Sequence, residues 1–306
     1  MKILVPGGCG YIGSALIPYL LAGGHKVRVL DPQWFGDGYL PDNENLEMHK
    51  EYYEGILTGV NAIIYLAGLT NDDECRRLPK LAQDSNLGGL SLILQRCLQS
   101  KVKRFIFLSS VTVYGNTEYA VTEAAPLDPT TPYGESKKTA EEFIRLVLPE
   151  SITAFILRPA GVCGYAPRMR FDLTVNRMIR DAIEKREIEV HGGEQYRPHV
   201  HIRNLIEIIF KLLTANIPGE TFNVVAYNET IMKTAKMIAG HTGAKIIEKP
   251  RRDDRSYSVD GWKLRKTLSM SFFSGAEKAL SEIAVRLKDN HWPDRNDARY
   301  MNVVPF

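Results

Sequence analysis

The chain has 306 residues, of which 44% are hydrophobic and 25% are charged, an ordinary balance for a globular protein. Its formal net charge of +3 is too small to indicate nucleic-acid or membrane binding, although two short basic runs, Arg168–Arg170 and Arg251–Arg255, each suit one small polyanion. No apolar run reaches the roughly 18 residues that a membrane span needs. The chain starts in a strand pattern without a cleavable leader, and its four cysteines lack metal or redox spacing, so we expect a reduced, cytoplasmic setting.

Apolar segments of strand length alternate with helical patterns in the first half of the chain. The predicted strands are 2–6, 26–30, 61–67, 104–110 and 153–159, with a short additional strand in 45–60. The predicted helices are 11–22, 73–82, 86–99 and 133–148. Because the strands are almost continuously apolar, they are expected to form a parallel sheet covered on both faces. The pattern therefore predicts a Rossmann-type, doubly wound α/β fold.

The pattern changes after Pro159. An irregular basic segment, YAPRMRFD, precedes a predicted helix at 171–186 and a short strand, IEVHG, and further helices are predicted at 203–214, 230–240 and 275–288. We therefore predict a Rossmann domain over 1–164 and a smaller α+β domain over 165–306. Some segments of the second domain are expected to return to the first.

A glycine motif, GGCGYIG, follows the first strand. Gly7, Gly10 and Gly13 allow a tight turn and let the backbone approach a pyrophosphate at the start of the next helix. Asp31 ends the second strand 18 residues after Gly13, near the spacing of a ribose-binding carboxylate. Such a carboxylate accepts hydrogen bonds from ribose hydroxyls and repels a 2′-phosphate, so the sequence favours NAD over NADP. A plain turn with a capping aspartate is the simpler alternative.

The segment YGESK places Tyr133 and Lys137 one helical turn apart at the start of a predicted helix. The preceding strand ends in LSS, which puts Ser109 and Ser110 at the carboxyl edge of the sheet. Positive charge on the lysine and on an oxidised nicotinamide would lower the tyrosine pKa from about 10 toward neutrality. Tyr133 would then take a hydroxyl proton as hydride leaves the same carbon, with Ser110 orienting the oxygen. A solvated helix face is the alternative that spacing alone favours.

The segments GGCGYIG, YLAG, LSSVTVYG, YGESK and LRPAGVCG occur in an order that resembles the extended short-chain dehydrogenases/reductases, and among them the nucleotide-sugar epimerase/dehydratase family. The resemblance covers nearly the whole chain. It implies NAD as cofactor, catalysis by Ser110, Tyr133 and Lys137, and a homodimer formed by the helices near 86–99 and 133–148. The cofactor contacts that it implies are Gly7, Gly10, Tyr11, Ile12, Gly13, Asp31, Leu66, Ala67, Gly68, Asn86, Tyr133 and Lys137.

The same resemblance implies a nucleoside-diphosphate sugar bound by the second domain. The implied substrate contacts are Thr112, Arg170, Asn176, Arg197 and Arg255. A guanidinium fork matches phosphate oxygens, although a solvated surface charge is the alternative for any one arginine. His199 and His201 share one face of a predicted strand, but no third ligand stands at a usable spacing, so we predict no metal site.

Departures from the family bear on the substrate and the reaction. The asparagine common two positions after LRP is Gly161 here, and HKEYYEG replaces the GDI-like segment that positions adenine. Sugar 4,6-dehydratases that the chain resembles carry an Asp-Glu pair after the catalytic serine or threonine, where this chain has Val111 and Thr112. Because elimination of water needs an acid and a base at C5 and C6, dehydration is not expected.

Redox chemistry at the sugar C4 is what remains. An NAD-dependent nucleotide-sugar 4-epimerase is the most economical prediction. The same triad serves a net C4 oxidoreductase, either a dehydrogenase or a 4-ketoreductase, and PRMRFDLTVN and HVHIRN resemble segments of GDP-heptose C4 dehydrogenases. A non-catalytic dinucleotide sensor is a third alternative, although a sensor does not need a complete triad.

Overall fold

The structure is a computed structural model that describes residues 1–250, 255–272, 275–292 and 294–305. Of the second basic run, only Arg255 lies within the described residues. The strands in these residues are β1 (Lys2–Pro6), β2 (Lys26–Leu30), β3 (Leu46–His49), β4 (Ala62–Tyr65), β5 (Arg104–Leu108), β6 (Ala120–Val121), β7 (Thr153–Pro159), β8 (Gly161–Cys163), β9 (Glu187–His191), β10 (Tyr196–His201), β11 (Thr221–Val224), β12 (Tyr227–Thr230), β13 (Lys245–Lys249) and β14 (Ser258–Val259).

The helices surround these strands. In the same residues they are α1 (Tyr11–Ala22), α2 (Asp72–Arg77), α3 (Pro79–Gln83), α4 (Gly89–Cys97), α5 (Pro132–Val147), α6 (Thr174–Glu184), α7 (Ile202–Leu212), α8 (Ile231–Thr242), α9 (Trp262–Leu268) and α10 (Gly275–Lys288). Shorter turns are 3₁₀-helical at Glu54–Leu57 and Val111–Tyr114 and π-helical at Asp84–Gly88. Among the described helices, none combines the length and hydropathy that crossing a bilayer requires.

The predicted α/β fold is confirmed. Within the described residues, seven strands form one parallel sheet in the order β11-β7-β5-β4-β1-β2-β3. Its strands are apolar on both faces because helices cover both: Ile3 and Val5 belong to the hydrophobic cluster on one side and Leu4 to the cluster on the other. The strand order reverses between β1 and β4, so the loops that follow these two strands diverge and leave a crevice at their carboxyl ends.

The later part of the chain adds small sheets and returns once to the main one. β8, β10 and β12 form a three-stranded sheet, while β9 pairs with β13 and β6 with β14. β11 pairs in parallel with β7 at the edge of the main sheet, so one segment beyond residue 164 belongs to that sheet. The proposed boundary at residue 164 stays a prediction.

The two helices predicted at 73–82 and 86–99 are interrupted. Pro79 begins α3, and the preceding Leu78 leaves the helical conformation with φ −128° and ψ 63°. A proline ring disfavours helical geometry in the residue before it, which explains the break between α2 and α3. The π-helical turn at Asp84–Gly88 then precedes α4 and contains Asn86.

A buried carboxylate attaches α5 to the sheet. Glu141 is inaccessible to solvent and accepts hydrogen bonds from Arg158 Nε at 2.8 Å and Nη2 at 2.6 Å, from Ser109 Oγ at 2.5 Å and from Arg145 at 2.8 Å. Burial opposes ionisation of this carboxyl, but the hydrogen bonds and charge of Arg158 hold its pKa below the ordinary value. The contact joins α5 to the ends of β5 and β7.

Replacement of Arg158 by methionine should lower the free energy of unfolding by about 3–5 kcal/mol, because it leaves the Glu141 carboxylate buried without its main partner. Arg145→Met is the matched control: that guanidinium contacts the same carboxylate but is about half exposed, so its loss should cost about 1 kcal/mol or less. Urea denaturation of the three proteins measures both values. Equal losses in the two variants would contradict the assignment of the buried pair as the attachment of α5.

Candidate active site

A cavity of about 450 Å³ lies at the carboxyl ends of β1 and β4. Most of the predicted site residues line it: Gly7, Gly10, Tyr11, Ile12, Gly13, Asp31, Leu66, Ala67, Gly68, Ser110, Thr112, Tyr133, Lys137 and Arg170. Four other predicted residues do not line it, namely Asn86, Asn176, Arg197 and Arg255. The fold thus brings the glycine motif and the YGESK motif, which begins 120 positions after Gly13, to one cavity.

The glycine loop packs against its neighbours as closely as backbone allows. Gly7 has φ +79°, and a Cβ there would lie 2.5 Å from the Ala67 nitrogen, while a Cβ on Gly13 would overlap the Gly8 carbonyl oxygen. Helix α1 follows with Gly10 as its N-cap, no side-chain cap and no acid in its first turn. No side chain accepts a hydrogen bond from the free N–H groups at this end of the helix, which lines the cavity. This arrangement suits a phosphate.

Asp31 secures the glycine loop and faces the same cavity. Its Oδ2 accepts the Cys9 N–H at 2.9 Å and its Oδ1 the Gln33 N–H at 2.7 Å. Burial raises the pKa of this carboxyl above its ordinary value, although both backbone hydrogen bonds oppose the rise. An ionised carboxylate offers about four acceptor positions, so the group can still accept hydrogen bonds from a ribose diol.

Asn86 lies behind the cavity. Its Oδ1 accepts the Leu69 N–H at 2.6 Å, and its Nδ2 donates to the Leu69 carbonyl at 3.1 Å and to Ser136 Oγ at 2.9 Å. The amide therefore holds the segment after β4 against α5, with Gly68 so close that a Cβ there would lie 2.8 Å from the Asn86 Oδ1. Its direct contact with a cofactor stays a prediction.

Local capping places the tyrosine and the lysine at the start of α5. Thr131 Oγ1 accepts the Gly134 N–H at 3.1 Å, and Pro132 occupies the first turn, where its missing N–H costs nothing. Tyr133 and Lys137 follow one turn apart, and both reach the cavity. Lys137 Nζ lies 5.8 Å from the centre of the Tyr133 ring.

The end of β5 supplies the third member of the group. Lys137 Nζ donates to the Leu108 carbonyl at 2.8 Å. Ser110 Oγ accepts the Thr112 N–H at 3.2 Å and the Thr112 hydroxyl at 2.9 Å, which caps the 3₁₀ turn that follows the strand. The serine proton is thereby left to donate toward Tyr133 or a ligand, and a hydrogen bond with Ser110 lowers the pKa of Tyr133.

The charges around Tyr133 differ from the sequence expectation. Burial raises the pKa of its phenol above the ordinary value, and Arg170 is the protein charge that opposes this rise most. The sequence analysis assigned that role to Lys137. Burial lowers the pKa of Lys137 itself to about 8, while the carboxylate of Glu141, one turn further along α5, raises it. Keeping the Lys137 side chain charged in this buried position therefore costs free energy.

Arg170 lies beside the tyrosine in the cavity wall. Its Nη1 donates to Thr70 Oγ1 at 2.8 Å, and its Nη2 donates to Asp172 Oδ2 at 2.5 Å. These two contacts hold the guanidinium in one orientation. Because Asp172 neutralises its charge and Thr70 accepts one of its hydrogen bonds, Arg170 can lie next to either a neutral or an anionic ligand.

Arg197 and Arg255 come together at one edge of the cavity. An Nη1 of Arg197 donates to the carbonyl of Arg255, and the Arg197 guanidinium carbon lies 5.2 Å from the ring centre of Tyr257, a cavity residue. Arg255 pairs with Asp72, another cavity residue, at 2.8 Å. The structure therefore places both arginines next to the cavity lining, one layer back.

Asn176 joins α6 to the first domain. Its Oδ1 accepts the Gly164 N–H at 3.1 Å, and its Nδ2 donates to the Tyr11 hydroxyl at 3.2 Å and to the Arg170 carbonyl at 3.1 Å. The Tyr11 hydroxyl in turn donates to the Gly164 carbonyl at 2.6 Å. The amide is fully buried, so contact with a substrate stays a prediction.

The two histidines considered as metal ligands have other contacts. His201 Nδ1 accepts the Arg203 N–H at 3.2 Å and caps α7, while its Nε2 lies 3.2 Å from Glu282 Oε2. His199 packs against Tyr227 with ring centres 5.4 Å apart. In the part of the chain that the structure describes, no three potential ligand side chains are grouped for a metal ion.

Sequence reasoning missed several cavity residues. Thr70 and Asp72 stand before and at the start of α2, and Phe35 and Asn302 come from a loop and from the C-terminal segment. No motif marks these positions. Arg168 belongs to a basic run that the sequence analysis noted, but the sequence does not show that its surroundings differ from those of Arg170.

Comparison with known proteins supplies a family. Residues 3–225 match the family model described as the NAD dependent epimerase/dehydratase family. A protein of Bacillus subtilis (strain 168), described as the uncharacterized UDP-glucose epimerase YtcB, is 30% identical over 268 residues that cover 80% of this chain and 83% of that protein. A dTDP-glucose 4,6-dehydratase of Streptomyces niveus is 24% identical over 95% of this chain and 94% of its own length.

A solved structure shows the same fold. UDP-glucuronic acid 4-epimerase from Bacillus cereus, in complex with UDP-glucuronic acid and NAD, matches with a TM-score of 0.85 at 24% identity. The match covers 94% of this chain and 99% of that one. The overlap extends over both the sheet and the later, smaller sheets.

The buried ammonium of Lys137 predicts a specific pH dependence of stability. The folded pKa of about 8 lies below the ordinary lysine value of 10.5. The folded protein therefore releases this proton at a lower pH than the unfolded chain does, so the free energy of unfolding increases as pH rises between these two values. Relative to Lys137→Met, the wild type should gain about 2–3 kcal/mol in unfolding free energy between pH 7 and pH 10. Denaturant titrations at several pH values measure the difference, with Lys138→Met as control. A difference that does not change with pH would contradict the lowered pKa.

Proposed function

The chain belongs to the NAD-dependent epimerase/dehydratase family, and we propose that it is a nucleotide-sugar 4-epimerase that uses NAD. One observation carries the proposal: Ser110, Tyr133 and Lys137 line the same cavity as the glycine loop and Asp31. The relatives named as epimerases support 4-epimerisation.

The residues present fit a dinucleotide. The uncapped first turn of α1 suits the diphosphate, and the close packing at Gly7 and Gly13 keeps side chains out of its way. Asp31 retains acceptor positions for the adenosine ribose. The residues proposed to hold the cofactor are Gly7, Gly10, Tyr11, Ile12, Gly13, Asp31, Leu66, Ala67, Gly68, Asn86, Tyr133 and Lys137. When bound, NAD⁺ supplies a reversible hydride acceptor for C4 of the sugar.

The residues of the triad handle the proton. Tyr133 takes the proton of the C4 hydroxyl and later returns it, while Ser110, held by Thr112, orients the C4 oxygen. A base here must be ionised in part, and the positive charge of Arg170 and the hydrogen bond with Ser110 favour the phenolate. Hydrogen bonding of Lys137 to the Leu108 carbonyl fixes the position of its charge.

The lining favours epimerisation over dehydration. Val111, next to Ser110, is apolar and buried. Among the described residues, the acids that line the cavity are Asp31 and Asp72, and Asp72 pairs with Arg255. Asp72 acts electrostatically on Tyr133, but the two positions after Ser110 are Val111 and Thr112, neither of which carries a carboxyl group. Elimination across C5 and C6 needs an acid and a base at those atoms, so these two residues favour epimerisation. A net C4 oxidoreductase uses the same three residues and remains the second candidate.

The substrate proposed is a nucleoside-diphosphate sugar. Arg197 and Arg255 lie at one edge of the cavity, where guanidinium groups suit the diphosphate. Arg170 and Thr112 line the part nearest Tyr133 and are proposed to contact the sugar. Asn176 is proposed to act on the substrate through Tyr11 and Arg170, whose positions it determines.

Replacement of Tyr133 by phenylalanine should lower kcat by about 10²- to 10⁴-fold, because it removes the acid–base group. The affinity for NAD⁺ should fall by less than about tenfold, because one proposed hydrogen bond is lost while the other proposed cofactor contacts remain. The measurement is interconversion of C4 epimers, followed by chromatography, with UDP-glucose and UDP-glucuronic acid as first substrates. Tyr119→Phe, an exposed position, is the control.

The same assay separates the candidates. An epimerase interconverts the sugars without net change in cofactor absorbance, whereas a net oxidoreductase converts cofactor in proportion to product. The wild-type protein is also tested against a panel of nucleotide sugars. If it binds NAD⁺ but converts none of them, the result would contradict the proposed enzymatic function and favour a dinucleotide sensor.

We also propose a homodimer formed through α4 and α5 and a reducing, cytoplasmic location. Leu98, just after α4, is 55% exposed, and Leu146, near the end of α5, is 83% exposed. Exposed large aliphatic side chains on two neighbouring helices suit burial against a second copy. The four cysteines are all buried thiols without disulfides, which fits a reducing compartment.

Leu146→Glu should convert the dimer to a monomer, because a carboxylate in a dimer interface is costly to desolvate. Size-exclusion chromatography with light scattering gives the mass directly. Val285→Glu, at a 57% exposed position on α10, should leave the dimer intact. A monomeric wild type, or equal dissociation in both variants, would overturn the proposed interface.

A further inference from the structure

Arg168 is a buried charge that the reaction described above does not use. Its side chain lines the cavity, and the residue is 1% exposed. Nη2 donates to Asn302 Oδ1 at 2.9 Å, and the guanidinium carbon lies 4.1 Å from the centre of the Phe35 ring. Within the described residues, Nε has no hydrogen-bond partner.

The other deeply buried arginines have carboxylate partners. These pairs are Arg28 with Glu47, Arg158 with Glu141 and Arg180 with Asp181. Arg168 forms no such ion pair with any residue that the structure describes. Burial and, to a lesser extent, the neighbouring positive charge of Arg170 lower its pKa to about 9. The negative charges of Asp172 and Asp31 act on it from a distance and offset this lowering only in part. A buried cation without a contacting carboxylate is destabilising, and a bound anion would remove that cost.

The position of Arg168 identifies the anion. Its backbone N–H donates to Ser14 Oγ at 3.1 Å, which holds the residue against the first turns of α1. Phe35, on which the guanidinium stacks, lies in the loop that follows Asp31. The guanidinium is therefore located beside both the start of α1 and the ribose-binding aspartate, on the side of the cavity formed by the second domain.

We propose that Arg168 binds the adenosine-diphosphate part of the cofactor and closes the site from the second domain. The inference rests on the proposed use of NAD. A guanidinium offers Nε and Nη donors in a fork that matches phosphate oxygens, and the diphosphate is the anion that an uncapped α1 also attracts. The carboxylate of Asp31 disfavours a 2′-phosphate in the same region.

The consequence for function is retention of the cofactor. A cofactor held between α1 and Arg168 cannot leave until the segment around Arg168 separates from Ser14 and Phe35. An epimerase regenerates its cofactor in each turnover, so slow release does not limit its rate. Arg168 is thus a cofactor-positioning residue supplied by the second domain.

Isothermal titration of cofactor-stripped protein with NAD⁺, ADP-ribose and adenosine tests the proposal. In Arg168→Gln, affinity for NAD⁺ and ADP-ribose should fall about 10- to 100-fold, because a charge-assisted contact is lost, while affinity for adenosine should change less than threefold. Arg180→Gln is the matched control, since it removes a buried arginine outside the cavity lining and should leave all three affinities unchanged. Arg168→Lys keeps the charge without the fork and should give an intermediate loss.

The outcomes are distinct. Unchanged NAD⁺ affinity in Arg168→Gln, with a lowered melting temperature of the stripped protein, would make Arg168 a structural residue and overturn the proposal. A larger loss for NADP⁺ than for NAD⁺ would place the guanidinium at the 2′-position and also overturn it. If Arg168→Gln does not fold, wild-type affinity in Arg168→Lys overturns it and a reduced affinity supports it. A wild type that binds no NAD⁺ would instead refute the proposed function.

Discussion

The buried carboxylate of Glu141 is the interaction on which the site depends. It receives hydrogen bonds from Arg158 on β7, from Ser109 at the end of β5 and from Arg145 on its own helix. Since Tyr133 and Lys137 lie on that helix and Ser110 follows β5 directly, one ionic contact sets the distance between both parts of the triad. A charge in this place is stable only because every acceptor position finds a donor, so the contact also imposes one geometry.

The segment from β8 to α6 contributes residues to the cavity lining, together with the loops at the carboxyl ends of the main-sheet strands. Asn176 and Gly164 bind the hydroxyl of Tyr11, and Arg168 bonds to Ser14, so the segment is attached to the start of α1 at two points. These are the first residues after the glycine loop. A shift of this segment would therefore move Arg170 and the start of α1 together.

The proposed triad does not by itself determine which reaction takes place, so the residues around it must do so. Ser110, Tyr133 and Lys137 can move one proton at one hydroxyl, which serves epimerisation, oxidation and reduction equally. Val111, next to Ser110, offers no acid–base group, and Arg170 adds a positive charge that acts on the tyrosine. In this site, catalytic residues define the class of chemistry, and the neighbouring residues define its limits.

The sequence by itself determined the α/β class, the strands of the main sheet through β7, and the two motifs that meet in the cavity, because strand hydrophobicity, glycine turns and one-turn spacing are local properties. It also indicated the family. Only the tertiary structure decided that β11 belongs to the main sheet, that Asn86 and Asn176 lie behind the cavity, and that Arg170 is the strongest positive influence on Tyr133. It also decided that Arg168 has no carboxylate partner among the residues described, whereas Arg158 has one. Burial, pairing and pKa depend on which distant segments surround a side chain, and that information appears only when the chain is folded.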